Sequence, residues 1–165
     1  MEGAVVSETA PSVYSVSRQL LVLTPVRLVL GLAGLAAALA IGTRDGAAAS
    51  AFGLGALGSA VALLADRRFA RRGLDAASLP PGAQQASLRE AALAGIFPST
   101  FGVTALTGVA LAFNRTLAGL LAGVLAGMAV ASATAWFRLN ALERAEGMRL
   151  YVEQGGRRRV FTGRA

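Results

Sequence analysis

The chain has 165 residues, of which 55% are hydrophobic and only 15% charged, with a formal net charge of +7. A water-soluble domain of this size carries far more charge, so the composition argues for lipid as the solvent of most of the chain. All 16 basic residues are Arg; with no Lys, His or Cys, there is no lysine nucleophile or phosphate-loop lysine, no disulfide, and no ordinary zinc, haem or iron–sulfur ligand set.

Residues 1–17 are small and polar, include Pro11, and show no period. They read as a mobile cytoplasmic tail. Leu20–Leu23 is apolar and ends at Thr24-Pro25. Proline lacks an N–H and restricts the residue before it, so it suits a helix start. The expectation is a short interfacial segment, a break at Pro25, and a first transmembrane span over Arg27–Gly42. The alternative is one longer, tilted helix from Leu20 with Arg27 snorkelling to the headgroups. Ala38-Leu39-Ala40 resembles a signal-peptidase site, but Glu2 and Glu8 precede the run and a second apolar run follows at once. It reads as a retained span.

Asp45-Gly46 marks a turn, and the second span covers Ala47–Ala65. Asp66 and the arginines Arg67, Arg68, Arg71 and Arg72 stop it. If the helix continued, those four would share one side and could meet anionic lipid headgroups; a plain stop-transfer signal is the simpler reading. A linker containing Pro80-Pro81-Gly82 follows, and Gln84–Leu93 has a helical composition leading into a third span, Ala91–Phe113. Pro98 should kink that span. Asn114-Arg115-Thr116 is the second turn, and its match to a glycosylation acceptor is read as accidental. The fourth span, Leu117–Phe137, ends at Trp136-Phe137-Arg138, an interfacial anchor. Beyond it, Leu139–Glu146 favours helix and Gly147 is a plausible C-cap. Apolar alternation around Gln154-Gly155-Gly156 suggests a β-hairpin.

The fold class expected is therefore an all-α integral membrane protein: four transmembrane helices as two hairpins, with a short cytoplasmic C-terminal β-hairpin or tail. Residues 1–26 form the N-terminal tail and interfacial segment, 27–137 the membrane domain with a cytoplasmic linker over 66–90, and 138–165 the C-terminal tail. A shift of 71 residues superposes Gly31 on Gly102, Arg44 on Arg115 and Arg67 on Arg138, a faint parallel repeat. Fourteen arginines fall in the N-terminal segment, linker and C-terminal tail, against two in the hairpin turns. The positive-inside rule puts both termini in the cytoplasm, most simply across a bacterial inner membrane, with an organellar membrane as the other case.

Small residues recur at helical spacing: Gly31 and Gly34 in the first span, Gly55 and Gly58 in the second, Gly119, Gly123 and Gly127 in the fourth. In lipid, such faces let helices approach closely. They serve packing within the chain, and their surplus suggests a neighbouring membrane subunit or a homo-oligomer. No ionisable residue is expected between the span ends, which argues against a proton relay or a carboxylate-coupled carrier. Ser99, Thr100, Thr104 and Thr107, around Pro98, are the candidate hydroxyls for a polar pathway, against the simpler reading that they bond helix carbonyls. No catalytic residue, metal site or cofactor is expected, and the Arg157-Arg158-Arg159 run without interleaved aromatics does not make a nucleic-acid module. These readings lead to a small non-enzymatic membrane protein, an accessory subunit, assembly factor or scaffold. The alternative is a small oligomeric transporter or channel with its pathway near the kinked third helix.

Overall fold

The computed structural model describes residues 11–41, 46–65, 77–153 and 159–164. In chain order these form β1 (Ser12–Ser15), α1 (Val16–Ala40), α2 (Ala47–Ala65), β2 (Ala77–Ser78), β3 (Gln84–Gln85), α3 (Leu88–Ile96), α4 (Ser99–Phe113), α5 (Arg115–Glu146), β4 (Met148–Glu153) and β5 (Val160–Arg164). The protein is mostly helical. Helices α1, α2 and α5 are each long and apolar enough to cross a bilayer, and α3 with α4 make a fourth such element bent by 52°.

The 32-residue α5 is the hub. Of its apolar stretch 56% is buried, against 11% for α1 and 17% for α2, because α1, α2 and α4 all pack on it. The α2–α5 contact is a ladder in four-residue steps: Gly119 meets the carbonyl of Ala48, Gly123 that of Phe52, and Gly127 that of Ala56. Both numbers rise together, so α2 and α5 run parallel. From the other side Gly55 meets the Leu120 carbonyl. With no Cβ between them the two backbones approach closely enough for Cα–H···O contacts. On a neighbouring face of α5, Gly31 of α1 lies against Ala122 and Ala126 and Gly34 against Ala122.

The helix ends follow from local chemistry. The Asn114 side chain accepts from the Leu117 N–H at 3.1 Å, so the single residue between α4 and α5 caps the hub. Gly147 ends α5 in the left-handed conformation, φ 64°, as its place in the sequence suggests. Ser87 and Glu90 form a reciprocal capping box at the start of α3.

Several expectations are corrected. Pro25 does not start a helix; it lies inside the continuous α1. A proline removes one backbone hydrogen bond, here the one to the Leu21 carbonyl, and the long apolar helix tolerates that loss; the Thr24 hydroxyl donates to the neighbouring Leu20 carbonyl at 2.9 Å. The longer-helix alternative is thus the closer one. Gln84–Leu93 is not uniformly helical, since Gln84–Gln85 is a strand and the helix begins only after Ser87. The N-terminal segment is not tail throughout: Ser12–Ser15 is a strand, and Val13 is completely buried.

That strand belongs to a small five-stranded sheet of order β2-β5-β4-β1-β3 beside the mainly helical body, so the expected C-terminal hairpin is not alone. The hairpin of β4 and β5 is present, with Met148 opposite Arg164 and Val152 opposite Val160. It is flanked by β1 from the N-terminal segment and by β2 and β3 from the linker. A two-stranded hairpin alone is marginal; here both faces are covered. Val13, Tyr151 and Phe161 pack with Leu79 and Ala83 of the linker. Val152 packs on Leu139 of α5 and Val16 of α1. The three polar segments expected on one side of the membrane therefore share one sheet, seated on the continuation of the hub helix.

Candidate functional site

Three helices converge on Arg27. It lies inside the apolar length of α1, preceded by Leu20–Val26 and followed by Leu28–Leu39. Its Nε donates to the Thr100 hydroxyl of α4 at 2.9 Å, and one terminal nitrogen, Nη1, donates to the Ser132 hydroxyl of α5 at 2.6 Å. Thr100 is fully buried and Ser132 nearly so. The Ser132 hydroxyl donates a hydrogen bond to the Met128 carbonyl at 2.8 Å, leaving its lone pairs to accept from the guanidinium. Among the described residues Arg27 has no carboxylate partner. The expectation that no ionisable residue lies between the span ends is thereby corrected.

The bend places Thr100 there. Helix α4 starts anew at Ser99, after the 52° turn at Phe97-Pro98, so Thr100 occupies a first helical turn whose N–H groups have no intrahelical acceptor. Helix α3 packs on α1 above this point. Gln19 donates to the Ala91 carbonyl at 3.0 Å, and a Cβ on Gly95 would strike Gln19 and Leu23.

The other candidate hydroxyls do not join the cluster. Thr104 donates to the Thr100 carbonyl and Thr107 to the Val103 carbonyl, each at 2.8 Å, and Ser99 is exposed. Of the expected packing glycines, Gly31, Gly34, Gly55, Gly119, Gly123 and Gly127 all meet another helix, whereas Gly58 has no atom within 4 Å of where a Cβ would sit. Gly58 is turned away from α5 and does not extend the Gly55 contact. The repeat-related Gly102 is likewise open while Gly31 is closed, so that pair does not share a structural role. Arg67, Arg68, Arg71 and Arg72 lie outside the described residues.

Ser132 was not among the sequence candidates. The signal available was a lone serine between Ala131 and Ala133 in an apolar run, one turn before the Trp136-Phe137 pair, whose rings meet edge to face at 4.8 Å. Among the described residues no three His, Cys, Asp or Glu side chains are grouped to hold a metal ion. Compared with family models, with curated proteins and with solved structures, the chain matches none.

Proposed function

We propose that this is a small, non-enzymatic, multi-pass membrane protein that serves as an accessory subunit, assembly factor or scaffold of a larger membrane complex. Its polar segments and both termini face the cytoplasm of a bacterial inner membrane or the equivalent organellar side, a reading the arginine distribution supports. The observation that carries the reading is the two-sidedness of α2. One edge is closed on α5 through Gly55. The outer face presents Leu54, Leu57 and Val61, each about two-thirds exposed, around the open Gly58. These positions follow the i, i+3, i+4, i+7 spacing of one helix face. A glycine flanked by aliphatic side chains forms a groove for a neighbouring transmembrane helix, from a second copy of this chain or another subunit.

A photo-crosslinking side chain at Leu57, with Leu125 as an internal control, tests this in native membranes. A discrete protein adduct at Leu57 and none at Leu125 is expected. Lipid adducts alone at Leu57 would contradict the reading.

A second reading, a small transporter or channel, is favoured by the bent α3–α4 element and the Arg27 cluster beside it. It requires solute flux from the purified protein in liposomes, altered by Thr100→Val. Thr104→Val should matter less, because that hydroxyl is spent on its own helix.

A further inference from the structure

The charge on Arg27 lacks a counterion among the described residues, yet its geometry is held from two sides. A guanidinium has five N–H donors, and the two hydroxyls use two of them. No buried side-chain nitrogen or oxygen is left without a partner among the described residues. The second terminal nitrogen, Nη2, has no partner, so it reaches the accessible surface. The site thus presents a fixed cation with an outward edge of unused donors. Beside it lies the first turn of α4, the positive end of a 15-residue helix. Arg27 is tied to that turn through the Thr100 hydroxyl, and no carboxylate among the described residues joins them.

We propose that Arg27, positioned by Thr100 and Ser132, binds one phosphate group. The forked donors of Arg match phosphate oxygens in a bidentate manner, and neutralising a cation at this depth removes the cost of leaving it alone in an apolar layer. A lipid headgroup can supply that phosphate from beside the short α3: that helix has nine residues and diverges from α4 by 52°, so it rises only ~8 Å above Ile96 if α4 follows the membrane normal. Thr100 lies four residues further on, and the reach of the Arg27 side chain offsets part of that added depth. A free phosphate ester offers the same oxygens. The proposal rests on the helices spanning a bilayer, but on neither the accessory-subunit nor the transporter reading.

The full chain is reconstituted in phosphatidylcholine nanodiscs with and without phosphatidic acid, and bound lipid is counted by native mass spectrometry. Resistance to alkaline carbonate extraction and helical circular dichroism are scored first for every variant, so failure of the spanning reading shows there and not in the lipid count. The wild type is expected to retain one phosphatidic acid per chain. Arg27→Gln should lower retention at least tenfold, Ser132→Ala about threefold, and Arg138→Gln not at all. A parallel arm adds millimolar inorganic phosphate in pure phosphatidylcholine. Thermal stabilisation of the wild type and not of Arg27→Gln there, with no phosphatidic acid retained, assigns the site to a soluble phosphate. If Arg27→Gln does not fold, Ser132→Ala decides in both arms. Equal behaviour of wild type and variant in both arms overturns the proposal and leaves a carboxylate on a partner helix as the counterion.

Discussion

Gly123 of α5 lies directly against the main-chain carbonyl of Phe52 in α2, so close that a Cβ at Gly123 would overlap that oxygen. Backbone, not a flexible side chain, is what stands in the way, so relief requires the helices to part. Gly123→Ala should destabilise the bundle by about 1–3 kcal/mol. At Gly58, where nothing lies within 4 Å, alanine should be neutral or stabilise by about 0.5–1 kcal/mol through helix propensity. Unfolding titrations in mixed micelles would distinguish the two. Equal responses would mean that α2 and α5 do not touch along this ladder.

Ser132→Ala removes the 2.6 Å bond that orients Arg27, and Thr100→Val removes the other. Interhelical bonds of this kind contribute about 0.6 kcal/mol each, rarely ~2. The two losses should be non-additive, because both act through one guanidinium. Thr104→Val should fall below either, since its hydroxyl bonds only its own helix. A double-mutant cycle by thermal unfolding in detergent reads the coupling.

Val13 is the fully buried residue that pins the N-terminal strand between β3 and β4. Val13→Asp would bury a charge without a partner, costing more than about 2 kcal/mol. The expected result is release of β1 and rapid tryptic cleavage after Arg18, with the transmembrane helices still folded. Cleavage unchanged from the wild type would mean that the strand is not held by the sheet.

The ends of the hub helix provide a further check. Asn114→Ala should cost about 1 kcal/mol by removing the cap on Leu117. Gly147→Val should cost about 1–2 kcal/mol, because φ 64° is unfavourable for a β-branched residue. Both are read from midpoint shifts in thermal unfolding followed by circular dichroism.

The helical part of the fold was largely legible, because apolar length is a local property and Asp-Gly, Asn114, Pro98 and Gly147 punctuate it. The sheet was only half legible. Alternation around Gly155-Gly156 suggested β4 and β5, but β1, β2 and β3 are strands of two to four residues whose pairing is entirely non-local. Gln84–Gln85 carries no β signal of its own; it is extended because Gln84 and Ala86 donate to the Pro11 and Val13 carbonyls. The position of Arg27 is illegible for a related reason. Pro25 is a boundary signal in the sequence, and a boundary there places the arginine at the end of a span. The continuous α1 places it within the apolar length, and its partners on α4 and α5 lie 73 and 105 residues away in sequence.

In the proposed arrangement the N-terminal segment, the Pro80-Pro81 linker and the C-terminal hairpin gather on one side of a bilayer, opposite the two hairpin turns. The chain contains no cysteine, so single cysteines can report the side of each position. Substitutions at the exposed positions Gln85, Arg159, Ala47 and Thr116 can be labelled in intact cells with a membrane-impermeant maleimide. That arrangement predicts labelling at Ala47 and Thr116 and protection at Gln85 and Arg159 until the membrane is opened. Labelling of Gln85 together with Ala47 in intact cells would contradict it.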